Sequence, residues 1–186
     1  MKKISDFLLK IATIKNVIIT ITITAIYTIF VFNKLIAKFG QVTNGTKLID
    51  IYVGLKSDEA YKIISSYGDK GIEYYNIVQL GDVIFPILAG FTFCITIALL
   101  IKKLFNGEKF KYLCILPLFT VTLFDYLENI GVFIMLRRFP SSLNGITELT
   151  SFFSALKFLS YGVNSIIIIV LVSIYLKRLK PIIKNI

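Results

Sequence analysis

VIITITITAIYTIFVF, residues 17–32, decides the fold because it reads in two ways. Its centre, ITITITA at 19–25, alternates with a period of two, the pattern of a strand. The run also carries no charge from end to end and contains four threonines. In a lipid interior a lone strand leaves its backbone groups unpaired, whereas a helix satisfies its own. Threonine hydroxyls bond back to helix carbonyls, so they sit in such a helix without loss. The stretch therefore reads as a membrane-spanning helix.

Three further apolar runs follow. Residues 83–101 are broken only by Pro86 and Gly90; 112–136 are interrupted by FDYLEN (124–129), and 152–176 by Lys157. A bilayer core about 30 Å thick needs roughly 20 helical residues. Only 17% of the 186 residues are charged, against about 25% in soluble domains, and mean hydropathy is +0.78. The expected fold is an all-α membrane protein: a four-transmembrane-helix bundle with spans near 14–36, 74–103, 112–137 and 151–179, forming a single membrane domain over 1–186.

The outer segment, 37–73, holds SDEAYKIISSYG. Ser57 suits a cap, Asp58 and Glu59 suit a helix N-terminus, and Gly68 suits a stop. A short extracytoplasmic helix near 58–67 is expected between the first two spans. Its apolar side, Ala60, Tyr61, Ile63 and Ile64, would lie on lipid, cover the bundle's mouth or pack on the ends of the spans. Tyr74 and Tyr75 are expected at the lipid–water interface.

Charge sets the expected orientation. Segments 1–15, 102–111 and 177–186 carry four Lys/Arg each and two acids in all, Asp6 and Glu108. Segments 33–76 and 137–151 hold eight Lys/Arg against six acids. The Lys/Arg excess marks the first set as cytoplasmic, so a multi-pass protein of the cell membrane with both termini inside is expected. No small-residue cleavage site follows the first apolar core, and the chain runs on into FNKLIAKF, which predicts an uncleaved signal anchor. The net charge of +10 resides in lysines flanking the spans, whose partners are membrane lipids. No nucleic-acid partner is expected.

Residue chemistry removes several enzyme classes. Histidine is absent, and with it the commonest general base and metal ligand. Zinc intramembrane proteases and histidine-box oxidases are excluded. There is no G-x-S-x-G elbow for a serine hydrolase. Cys94 and Cys114 fall inside spans without a C-x-x-C pairing and read as packing residues. Neither metal nor cofactor is expected, and no catalytic residue is assigned.

Polar groups inside the spans carry the functional signal. Asp125, Glu128 and Asn129 share one face of the third span. Lys157, Tyr161 and Asn164 share a face of the fourth; Gln79, Asp82 and Pro86 share one of the second, where Pro86 is expected to kink the helix. Thr20, Thr24 and Tyr27 share a face of the first, with Thr28 beside it. Antiparallel spans place all of these in the outer half. An ionisable group at the bilayer centre costs about 2.5–3.5 kcal/mol on insertion scales, so these groups should face one another. Depth pairs Lys157 with Glu128. Asp125, with no cation at its own depth, is expected to be protonated at neutral pH and to donate a hydrogen bond. Gln79, Asp82, Asp125, Glu128, Asn129, Lys157, Tyr161 and Asn164 are the candidates for a ligand or proton site. The competing reading is that they only hold helices together, at about 0.6 kcal/mol each.

Tyr67, Gly68, Gly71, Tyr75, Asp82, Phe85 and Pro86, followed by FDYLEN, resemble an uncharacterised group of bacterial four-helix integral membrane proteins over about residues 60–175. That resemblance implies the architecture and directs attention to the polar positions; it implies no reaction. More distantly, four spans with inward acids resemble the sterol-isomerase-like emopamil-binding family, whose sites also use histidine and tryptophan, both absent here.

Three functions remain open. The first is binding or moving a small amphiphile, cation or proton; transport would call for a homodimer, since four helices are few. The second is a membrane-embedded enzyme acting on a lipid, with Asp125 as acid and Glu128 as base oriented by Lys157. The third is a structural or accessory subunit.

Overall fold

The computed structural model describes residues 1–106 and 109–183, with side chains to residue 179. Glu108 and Lys184, counted in the charge pattern above, lie outside the described residues. Every regular element is helical, and no strand occurs among the described residues. Residues 19–25 are thus helical despite their alternation. A short amphipathic helix, α1 (Lys2–Ile11), leads into α2 (Ile14–Val42). After a loop with a 3-10 turn at Ile49–Ile51 come α3 (Ser57–Ser66), α4 (Gly68–Phe105), α5 (Lys111–Arg138) and α6 (Asn144–Ile183). Helices α2, α4, α5 and α6 are long and apolar enough to cross a membrane. Each is longer than its apolar run, because polar turns extend the helices past the hydrocarbon-length segments.

Three of the four long helices, α2, α4 and α5, depart from regular α geometry along their length. Helix α4 breaks at Val83–Ile84, just before Pro86. Proline has no N–H for the Asp82 carbonyl, so the ladder opens there. Neighbouring hydroxyls close on the break: Tyr27 donates to Gly81 O at 2.5 Å, Tyr126 to Val83 O at 2.7 Å and Thr122 to Pro86 O at 2.9 Å. Helices α2 and α5 contain π-helical turns, at Thr28–Phe32 and Leu118–Thr122.

Packing is close where small residues allow it. A Cβ on Gly90 would strike the Thr122 side chain, and one on Gly131 would strike Thr150. Such small-residue contacts let helices approach when burial from water gives no drive. Helix α2 packs chiefly along α4, with Thr24 Oγ1 3.0 Å from Thr92 Oγ1. Its isoleucines, among them Ile18, Ile21 and Ile29, stay exposed, as suits contact with lipid.

Two apolar clusters occupy the ends of the molecule. One joins α1 to the last turns of α4 and the start of α5, through Leu8, Ala12, Ile97, Ile101, Cys114 and Ile115. Lys102 fastens α1 by donating to Leu9 O and Ala12 O. The other lies under α3, through Phe39, Ile64, Tyr67, Tyr75, Val132 and Met135.

Two local expectations are corrected. Ser57 does not cap α3: its hydroxyl is buried without a partner, and Glu59 accepts from the Lys56 amide at 3.2 Å instead. Tyr75 is not interfacial. It is 1% exposed, because its ring packs edge-on against Phe39 and Tyr67 and its hydroxyl is needed by a loop amide. Gly68 does end α3, with φ +63°, a left-handed conformation that glycine takes without steric cost.

Candidate functional site

Between the two apolar clusters lies a polar layer. Asp82, Asp125, Glu128 and Lys157 are all buried, with Glu128 at 0% exposure. Lys157 Nζ forms an ion pair with Glu128 Oε2, the pairing expected from matched depth. Asn129 joins the other two acids, its Nδ2 donating to Asp82 Oδ2 at 2.8 Å and to Asp125 Oδ1 at 3.2 Å. Gln79 Nε2 in turn donates to Asn129 O at 3.1 Å. One turn of α5 thus ties α4 on one side and α6 on the other. In this arrangement Asp125 accepts a hydrogen bond from Asn129.

The structure adds a fourth acid that sequence reasoning missed, Asp50, brought in by the loop between α2 and α3. That loop is pinned from two helices and the residue that joins α3 to α4. The Tyr75 hydroxyl accepts from Ile49 N at 3.1 Å, Tyr67 donates to Lys47 O at 3.0 Å, and Ser154 donates to Tyr52 O at 3.1 Å. Asp50 Oδ1 is left enclosed with no hydrogen-bond partner. Burial pushes the Asp50 carboxyl above the usual carboxylate range, and the Lys157 ammonium and the Tyr75 hydroxyl offset part of that rise.

Two cavities meet at this layer. A cleft of about 190 Å³ has Asp50, Asp82, Asp125 and Lys157 on its polar side. Its apolar walls include Phe32 and Ile36 of α2, Phe85 of α4 and Phe158 of α6. Ile36, Ile51 and Phe158 are exposed at the rim, so the mouth faces sideways between α2 and α6. Tyr161 also lines it, its hydroxyl without a partner. The second cavity is narrow and lies under α3, with Asp50, Glu128, Thr147, Thr150, Ser151 and Ser154 among its lining. Asp50 borders both. Asp125 and Glu128, three residues apart, open onto different cavities.

Four candidates do not line the cleft: Glu128 lines the other cavity, Asn129 reaches the cleft acids only through its amide, and Asn164 and Gln79 stand apart. Asn164 is buried and spends its amide on Thr120 Oγ1 (3.0 Å) and Ser160 O (2.8 Å), a helix-packing role. Gln79 borders a separate groove with Leu80, Tyr126 and Arg137. Cys94 and Cys114 are free, buried thiols in the α1-end cluster. Among the described residues no group of three His, Cys, Asp or Glu side chains is placed to hold a metal ion.

No protein-family model matches the chain, and neither does any curated protein or solved structure.

Proposed function

We propose that the cleft binds a small amphiphilic cation, entering sideways from the lipid between α2 and α6. The observation that carries this reading is the charge count on one wall. Asp50, Asp82 and Asp125 line the cleft, while the single cation there, Lys157, is committed to Glu128. A surplus of buried carboxyls opposite aromatic and aliphatic walls suits a ligand with a positive head and an apolar body. Phe32 and Phe85, stacked at 5.4 Å, and Phe158 offer ring faces that attract a cation as well as hydrocarbon. In the same proposal the chain is one membrane domain of the cell membrane, with both termini in the cytoplasm and α3 on the outer face. Membership in the four-helix bacterial group that it resembles belongs to this proposal too.

The test uses purified full-length protein in nanodiscs and tetraphenylphosphonium as probe, with tetraphenylborate as its anionic isostere. The phosphonium should bind saturably and the borate should not. Asp82→Asn and Asp125→Asn, which keep the shape of the wall, should each weaken the phosphonium by about tenfold, the effect of losing roughly 1.4 kcal/mol. Equal binding of both ions, or no change in either variant, sinks the reading.

A further inference from the structure

The narrow cavity beneath α3 is not used by the cleft reading, and its lining is unusual for a membrane interior. Three enclosed oxygens around it have no hydrogen-bond partner: Asp50 Oδ1, Glu128 Oε1 and Ser151 Oγ. Glu128 is 0% exposed, so nothing from solvent satisfies it. The Thr147 and Thr150 hydroxyls donate to Leu143 O and Ile146 O, so each oxygen keeps lone pairs able to accept or to ligate. Buried polar atoms are nearly always paired, and unpaired ones call for an explanation.

We propose that this cavity is a site for one monovalent inorganic cation, with sodium the best match, and that Asp50 is the ligand it shares with the cleft. The polar side chains lining the cavity offer oxygen donors alone, in carboxylates, hydroxyls and the serine at its wall, the set that hard cations take. Lys157 is paired with Glu128 and acts on Asp50 only through space, so Asp50 is the one carboxyl at this cavity without an ion-pair partner, which matches a single positive charge rather than two. The free space takes one water-sized particle and no organic group. Because Asp50 borders both cavities, a sodium ion on one side withdraws from the cleft a carboxylate that an organic cation would use on the other. The two ligands therefore compete without touching, as in an exchanger. This competition rests on the cleft reading; the sodium site itself does not.

The experiment uses full-length protein in nanodiscs, buffered with choline chloride and free of organic cations. Binding of radioactive sodium should saturate at one ion per chain and be displaced by unlabelled sodium chloride. Ser151→Ala removes a hydroxyl that has no partner, so the fold should stand, as a melting curve checks; sodium affinity should fall about tenfold or more. Asp50→Asn should abolish sodium binding. A cavity holding only water would show no saturable sodium, and that overturns the proposal, as does sodium binding that neither variant changes. In a second arm, sodium chloride should weaken tetraphenylphosphonium binding in the wild type and leave Ser151→Ala unaffected. Sodium binding without phosphonium binding keeps this site and discards the cleft reading. Binding of both without competition overturns the sharing through Asp50.

Discussion

At the α1 end, Ile97, Ala98, Ile101, Cys114 and Ile115 meet across helices with hydrocarbon and sulfur alone. At the α3 end the fully buried side chains include Tyr75 and Glu128, and a loop is threaded beneath a helix to reach them. The same long helices run through both ends. The α1 end is filled by side-chain shape, since dispersion is what holds apolar groups together in lipid. At the α3 end, tyrosine and serine hydroxyls bond to backbone that has left the helical ladder. The two cavities that share Asp50 both lie toward this second end, and the candidate site lies with them.

That contrast is sharpened most by Lys157→Met. The change strands Glu128 as an unpaired buried charge and should cost about 3–5 kcal/mol, seen as loss of folded protein in size-exclusion profiles. Adding Glu128→Gln should restore most of the loss; failure to do so would mean that the ion pair is not what holds this layer. Ile101→Ala, at the dry end, should cost about 2–5 kcal/mol through the cavity it leaves, read from thermal melting. It should leave tetraphenylphosphonium affinity in the surviving folded protein unchanged, and a parallel loss of binding would break the division between ends.

The smallest effect is a pH slope from Asp50. Its carboxyl is raised in the folded protein, so between its unfolded and folded values the native state binds more protons. Stability then falls as pH rises through the folded value and is greatest below the unfolded one. Without sodium, the wild type should melt at a lower temperature at pH 8 than at pH 5. Asp50→Asn should flatten that difference. The charged groups facing Asp50 are Lys157, Glu128, Asp82 and Asp125, and a slope that survives in Asp50→Asn would belong to one of them.

The long helices were legible because apolar runs of membrane-spanning length, broken by only a few polar residues, leave few other solutions. The pairing of Lys157 with Glu128 was legible from depth alone, since α6 offers no other cation at that level. Asp50 was not, because it lies in an ordinary polar loop and is placed by Tyr67, Tyr75 and Ser154, contacts distant in sequence. The misreading of Tyr75 as interfacial hid the same fact from the other side. Helix α1 had a signal that the charge pattern concealed: Ser5, Leu8 and Ala12 recur at helical spacing and are its buried face.

The π turn at Thr28–Phe32 has a consequence for how this chain tolerates insertion and deletion. A π turn holds one residue more than the α turn it replaces, and each residue of an α-helix rotates the chain by about 100°. Removing one residue there would leave hydropathy and length almost unchanged. At the π turn the extra residue is the one lost, so Ile36 and Phe39 keep their bearing; the same deletion in the regular turns at Asn33–Val42 would swing Phe39 by about 100° and take one ring from the aromatic cluster beneath α3. The angular phase of α2 is therefore a quantity that selection can act on separately from its composition.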